Sequence, residues 1–435
     1  MNLKPLLLAA LAAVALPAVA QTEIQWWHSM TGGNGDRVNE MATGFNASQK
    51  EYKVVPVYKG GYAESMTAAI AAYRAGAAPH LVQVFEVGTA TMMSAKGAIK
   101  PVYQLMKESG EKFDPKQYVS AVAGYYTDSK GNMLSFPFNS STVVFYINKD
   151  AFKKAGLDPE KAPKTWKEFA AVAGKLKASG QECVYTTGWP SWVHVENFSA
   201  WHNIPIGTLE NGMGGLSTVF KINSPEHVAH IQMLVDFTKN GWFTYAGRRN
   251  EAEAKFFSGE CAMLTSSSSA LDKINASAKF PFSVNFMPYE DSIKGAPQNA
   301  IIGGASLWVL GGKKSAEYKG VAQFLNYLSG PELQAKWHQG SGYVAITYAA
   351  AELTEKSGFY KTHPGGDVAM KELNLHPPTA NSKGLRFGNF VQGRTVIEEE
   401  IEAALAGKKS AQAAMNDAVS RGNDILRKFQ ATVKE

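Results

Sequence analysis

Beyond residue 20, short apolar and β-branched blocks alternate with longer stretches whose apolar positions recur at helical spacing. From Thr22, EIQWWHSM predicts a strand entering a glycine-rich loop, Thr31-Gly32-Gly33-Asn34-Gly35, with a helix over Asp36–Asn46 behind it. A strand over Tyr52–Tyr58 stops at Gly60-Gly61, and a helix follows from about Tyr62 to Arg74, ended by Gly76 and Pro79. His80–Phe85 is a continuous apolar strand, and another helix begins near Thr89. Strands and helices alternating at this spacing predict an α/β chain whose sheets are mostly parallel and covered on both faces.

The second half keeps the rhythm. FYINKDAFKKAGLDPEKAPKTWKEF (Phe145–Phe169) reads as a strand, a turn at Asn148 and a short helix closed by Gly156 and Pro159. A second helix starts at Thr165 as N-cap with Glu168 three residues on, a capping box. Two longer runs stand out, Ser135–Tyr146 and Phe280–Leu310; in the latter, two strands flank a loop bearing Pro and Gly. A helix over Ala316–Leu328 ends at Ser329-Gly330-Pro331. The last helix places Ala414, Ala418, Ile425 and Phe429 on one stripe, with Gly422 weakening it locally.

The first twenty residues carry one positive charge (Lys4), an apolar run and Ala18-Val19-Ala20 ahead of Gln21, the pattern of a cleavable secretory signal peptide. No cysteine directly follows the cleavage point, so no lipid anchor is expected, and no later apolar run has the length of a membrane span. A soluble periplasmic protein of 435 − 20 = 415 residues is expected, long enough for two or more domains. The formal net charge of +6 falls to +5 without Lys4. Basic pairs are scattered and carry no interleaved aromatics, which predicts solvated faces rather than a nucleic-acid interface. A mildly positive surface suits an anionic small ligand. Cys183 and Cys261, both in predicted buried strands, leave a disulfide and two free thiols equally open.

Catalytic patterns are missing: there is no P-loop, GxGxxG, HExxH or GxSxG. His227 and His230, beside Glu226 on a predicted helix, lack a further ligand cluster and read as a solvated helix face. No metal and no cofactor is expected. The glycine-rich loop after the first strand reads as a cleft edge.

The Phe145–Phe169 block, with WHSMTG, VPVYKGGYAES, QVFEVGTATMM, ENFSAW, APQNAIIGGASLWV and KGLRFGN, resembles the extracellular solute-binding proteins (family 1) of bacterial ABC importers, in the branch that captures sn-glycerol 3-phosphate. The blocks run from one end of the chain to the other. The resemblance implies the two-lobed periplasmic binding protein fold (type II), with a ligand cleft at the hinge. Residues 21–137 and 288–329 would form the first lobe, and 138–287 and 330–435 the second. It implies a monomeric capturing protein rather than an enzyme, which hands sn-glycerol 3-phosphate, or glycerophosphodiesters such as glycerophosphocholine, to inner-membrane permease subunits. The alternatives are a receptor for a neutral oligosaccharide or polyol, and a secreted glycerophosphodiester hydrolase.

Carried over from that family, the ligand contacts fall on Tyr62, Glu86, Ser141, Ser267, Gly304, Tyr343 and Arg394, with Trp189 and Trp192 walling the pocket. Ala345 stands where the family carries proline, and the serine spacing in TSSSSAL leaves Ser266 and Ser268 able to replace Ser267. The residue types suit the chemistry. Arg394 offers a planar fork for two phosphate oxygens, against the alternative of a surface salt bridge to Glu398. Ser266–Ser269 open a predicted helix, a natural anion seat or simply an N-cap. Gly304 lets a backbone N–H approach the ligand. Glu86 ends a buried strand and belongs at the glycerol end, since a carboxylate beside phosphate is repulsive. Tyr62 and Tyr343 offer O–H donors whose rings exclude water, and the tryptophans offer a wall that suits a choline cation.

Overall fold

The computed structural model describes residues 21–433, so the signal-peptide reading of residues 1–20 lies outside the described residues. Among the described residues nine strands form two sheets: β1 (Thr22–His28), β2 (Tyr52–Tyr58), β3 (Leu81–Phe85), β4 (Phe136–Ser141), β5 (Val143–Asn148), β6 (Cys183–Thr187), β7 (Cys261–Ser267), β8 (Phe282–Asn285) and β9 (Gly303–Val309). The first sheet runs β2-β1-β3-β9-β4 and the second β6-β7-β5-β8. Helices cover both, giving the expected two-lobed α/β architecture. Every residue of β3, β4, β5, β6 and β7 is buried, which is why β3 reads as a continuous apolar strand rather than an alternating one.

The sheets are mixed rather than mostly parallel. The pairs β1–β2, β1–β3 and β6–β7 are parallel, whereas β9 pairs antiparallel with β3 and β4, and β5 antiparallel with β7 and β8. The antiparallel strands are the ones that adjoin the crossings between sheets. Only Thr142 separates β4 from β5, and its buried hydroxyl donates to the Ile301 carbonyl (2.8 Å) on the return crossing between β8 and β9. The two crossings therefore lie side by side.

Several expectations are adjusted by packing. The first helix starts at Gly32, so the glycine-rich stretch is its opening turn and not a free loop. The segment after residue 329 first packs on the β4 side of the first sheet, beyond the expected lobe boundary. Trp337 stacks on Phe138, Val344 N–H donates to the Ser140 carbonyl, and Val119 N–H to the Ile346 carbonyl. His227 and His230 are buried, not solvated, because Pro225–Lys239 is enclosed between the last two helices and the Trp192–Asn197 segment. His227 Nε2 meets Ser199 Oγ (2.7 Å), and His230 Nε2 meets His194 Nδ1 (3.0 Å). On the last helix the buried face is Ala414, Ala418, Gly422, Leu426 and Phe429, with Ile425 only half-buried. Gly422 is required there, since a Cβ would stand 2.4 Å from the Phe220 ring. Cys183 and Cys261 pair directly across β6 and β7 and form a disulfide. Among the described residues no helix is long and apolar enough to cross a membrane, and no group of three or more His, Cys, Asp or Glu could hold a metal.

Candidate functional site

A cavity of about 260 Å³ lies between the sheets, at the ends of β3, β4, β7 and β9. All nine residues singled out from the sequence line it: Tyr62, Glu86, Ser141, Trp189, Trp192, Ser267, Gly304, Tyr343 and Arg394. Strand ends deliver most of them, as expected for a crevice between α/β sheets. Glu86 follows β3, Ser141 ends β4, Ser267 ends β7, and Gly304 lies near the start of β9.

Gly304 has φ +89°, and a Cβ there would meet the Asn139 carbonyl oxygen at 2.0 Å. No other residue type fits this register, where β4 bulges between Pro137 and Asn139. Its neighbour Gly303 admits the Trp192 ring, which a Cβ would strike at 2.5 Å. Trp192 opens a π-helix, Trp192–Asn197, a distortion that recurs at functional sites. Trp189 adopts φ +51°, a left-handed conformation that costs about 1–3 kcal/mol for a bulky residue and is held by its surroundings. Its Nε1 donates to Asn250 Oδ1 (2.6 Å), and the Arg249 guanidinium lies 5.1 Å from the ring centroid. The aromatic face offered to a choline cation thus already carries a cation.

The tyrosines are fixed by stacking. Tyr62 lies on Phe85 (5.2 Å, 12°) and accepts from Asn139 Nδ2 (2.9 Å), while Tyr343 lies on Trp337 (5.7 Å, 20°). Burial raises the pKa of both phenols, so they remain O–H donors across the physiological range. Tyr343 keeps this place with alanine at 345. Of the serines, Ser267 and Ser269 face the cavity, and their hydroxyls are 2.8 Å apart. Ser266 is turned instead to Glu253 (2.8 Å), and Ser268 does not line the cavity.

The charged floor departs most from the sequence reading. Arg394 is 2 % exposed and does not pair with Glu398, which holds Arg249 Nη1 instead (2.5 Å). Its Nε and Nη2 form a two-point contact with Glu196 (2.8 and 2.6 Å), and Nη2 also donates to Glu86 Oε1 (2.6 Å). Glu196 is fully buried and Glu86 is 5 % exposed. The fork expected to seize two phosphate oxygens is therefore occupied by carboxylates, while Nη1 has no partner among the described residues. Burial raises the Glu86 pKa and the Arg394 charge beside it pulls it back down. Two further carboxyls missed in the sequence, Glu64 and Glu253, line the cavity, as do the cations Arg249 and Lys273. Lys273 makes no ion pair among the described residues and sits in the helix Ala270–Ser277, which starts just after Ser269.

Residues 40–365 match the family model described as bacterial extracellular solute-binding protein. The chain is 53 % identical over 426 residues to the sn-glycerol-3-phosphate-binding periplasmic protein UgpB of Pectobacterium atrosepticum, covering 98 % of this chain and 96 % of that one. It is 52 % identical over 418 residues to the UgpB of Salmonella typhimurium, covering 96 % and 95 %. Among solved structures it resembles UgpB from Mycobacterium tuberculosis in complex with glycerophosphocholine, with TM-score 0.79 and 20 % identity over 94 % of this chain and 99 % of that one. It also resembles maltose-bound MalE3 of T. maritima, with TM-score 0.75 and 16 % identity over 93 % and 99 %.

Proposed function

This chain belongs to the bacterial extracellular solute-binding proteins, and we propose that it captures sn-glycerol 3-phosphate, with glycerophosphodiesters such as glycerophosphocholine as further ligands, for an ABC importer. It works in the periplasm as a non-enzymatic receptor and delivers its cargo to inner-membrane permease subunits. The observation that carries this reading is the cavity lining, in which neutral O–H donors, a glycine of positive φ and a buried Glu86–Arg394–Glu196 triad surround one small space. At about 260 Å³ it lies near the lower end of small-molecule sites, which suits a ligand of about ten non-hydrogen atoms better than an oligosaccharide.

The ligand's orientation follows from charge. A phosphate beside Glu86 is repelled, so the phosphate sits by Ser141, Ser267, the Gly304 backbone, Tyr62, Tyr343 and Lys273. The glycerol hydroxyls donate to Glu86 and accept from Arg394 Nη1. Arg394 then reads the diol rather than clamping the dianion. Contacts from both lobes favour the closed form, so binding is a population shift toward closure.

Calorimetric titration with sn-glycerol 3-phosphate, glycerophosphocholine and maltose tests the reading. Binding of the first two and not the third is expected. Maltose binding without glycerol 3-phosphate binding would make the protein a neutral-sugar receptor. Sustained release of phosphate or glycerol in the presence of divalent metals would make it a hydrolase.

A further inference from the structure

Glu253 is the cavity's least explained charge. It sits in the short helix Glu253–Phe257, is 3 % exposed, and has one hydrogen bond, accepted by Oε1 from Ser266 Oγ at 2.8 Å. Its Oε2 has no partner among the described residues, and the side chain lines the cavity next to Ser267. Unlike Glu86 it has no guanidinium against it. The charged and titratable groups around it are Lys273 on the next helix, Glu251 and Arg249 on the preceding turn, Tyr146 on β5 and Tyr343 across the cavity. Lys273 is the cation among them that acts on it, and it forms no ion pair with it.

We propose that Glu253 sets the anion specificity of this site: it is protonated when phosphate is bound and donates a hydrogen bond from Oε2 to a ligand oxygen. The proton enters from solvent as the ligand arrives and returns to solvent on release. The inference rests on the ligand orientation above, which places phosphate on the Ser267 side.

The physical argument is one of balance. An ionised carboxylate in that wall would repel the anion at close range in a poorly screened space, whereas a protonated carboxyl supplies a donor where one is needed. Burial favours the neutral form, and the pKa is pushed up to about 7, since Lys273 and the Ser266 bond offset only part of the desolvation. An arriving anion raises it further. Binding is therefore linked to proton uptake, and affinity falls as pH climbs through neutrality.

The test uses glycerophosphocholine beside glycerol 3-phosphate, because a phosphodiester keeps one charge throughout the range used. For the parent protein, affinity for glycerophosphocholine is expected to fall about tenfold between pH 6 and pH 9, because a ligand that tightens the carboxyl's hold on its proton tenfold binds the protonated form about ten times better than the ionised one; glycerol 3-phosphate superposes its own second ionisation at about pH 6 on the same fall. Calorimetry at pH 7.5 in two buffers of different ionisation enthalpy should register fractional proton uptake. Glu253→Gln, which keeps the acceptor for Ser266, should flatten the pH profile and abolish the uptake. A parent profile flat between pH 6 and pH 9, or no uptake, would overturn the inference while leaving the receptor reading intact. An equal slope in Glu253→Gln would assign the proton elsewhere and overturn it too. Failure of both ligands to bind at pH 6 would instead sink the receptor reading itself.

Discussion

Arg394→Ala removes the one cation that separates two buried carboxylates. The side chain donates three charge-assisted hydrogen bonds, at 2.8, 2.6 and 2.6 Å, to Glu196 and Glu86. Each such bond is worth about 1.5–3 kcal/mol when one partner is lost, but the three share a single guanidinium and do not add. Deleting one side of a buried ion pair costs about 3–5 kcal/mol, so a loss of about 4 kcal/mol is expected at pH 8. The deficit has a pH signature. With the guanidinium gone, the facing carboxylates repel and one of them takes up a proton more readily than in the unfolded chain. A folded pKa raised above the unfolded value favours the fold at low pH and costs stability as pH rises through it. The deficit should therefore shrink between pH 8 and pH 5, by about 1.4 kcal/mol for every tenfold gain in that carboxyl's proton affinity on folding. Urea midpoints of the ligand-free protein, followed by tryptophan fluorescence, measure this. The triple change Arg394→Met, Glu86→Gln, Glu196→Gln leaves no charge to bury and should recover most of the loss. An Arg394→Ala protein within about 1 kcal/mol of its parent at pH 8, or a deficit independent of pH, would refute the triad as the element joining Glu86 after β3 to Arg394 on the Phe390–Leu405 helix.

The disulfide closes a long loop, with a sequence separation of 78. Replacing both cysteines by serine should lower stability by up to about 4.5 kcal/mol on the chain-entropy account, and an unchanged urea midpoint would rule that contribution out. The buried histidines give the opposite pH trend to the Arg394→Ala deficit. Burial lowers His194 to about 3 and both His202 and His227 to about 4. These groups bind fewer protons folded than unfolded, so their stabilising effect is complete above the unfolded value near 6.5 and is lost as pH falls toward 4, at about 1.4 kcal/mol per pH unit for each. Five carboxyls raised by burial, Glu86, Glu253, Glu290, Glu372 and Glu398, run the other way, but burial also lowers His28, His80, His230 and His338, so seven histidines face five carboxyls. The urea midpoint should drop steeply below pH 6, and a plateau down to pH 4.5 would contradict their neutral burial.

Much of the fold could be read because its signals are local. The first three strands and the capping box at Thr165 and Glu168 stand where apolar runs and cap residues place them, whereas the crossing within Ser135–Tyr146 was legible only through the family resemblance. What escaped was set by tertiary contact. Polar residues such as His227 and His230 look solvated on a helix until a second layer closes over them. The direction of β5 and β9 depends on which sheet the chain has just left, and no periodicity records that. Gly422 reads as a weak point in a helix, yet the Phe220 ring needs its missing Cβ.

The site shows the same division more sharply. The nine residues taken from family wording meet at one cavity because strand ends converge there, although 332 positions separate Tyr62 from Arg394 (394 − 62). Glu196 and Glu253 do not stand out at first sight, because a glutamate among helical residues is ordinary in sequence. A signal did exist for Glu196: it follows Trp192, Val193 and Val195, and a carboxylate in so apolar a run must find a cation. That cation is Arg394, and the pairing changes what the site can do. With Glu86 and Glu196 ionised, the triad's formal charge is +1 − 2 = −1, so it supplies no net attraction for an anion. Selectivity for phosphate then rests on the neutral donors, on the lining cations Lys273 and Arg249, and, on the proposal above, on Glu253 staying uncharged. A site built this way discriminates by geometry and protonation more than by bulk charge.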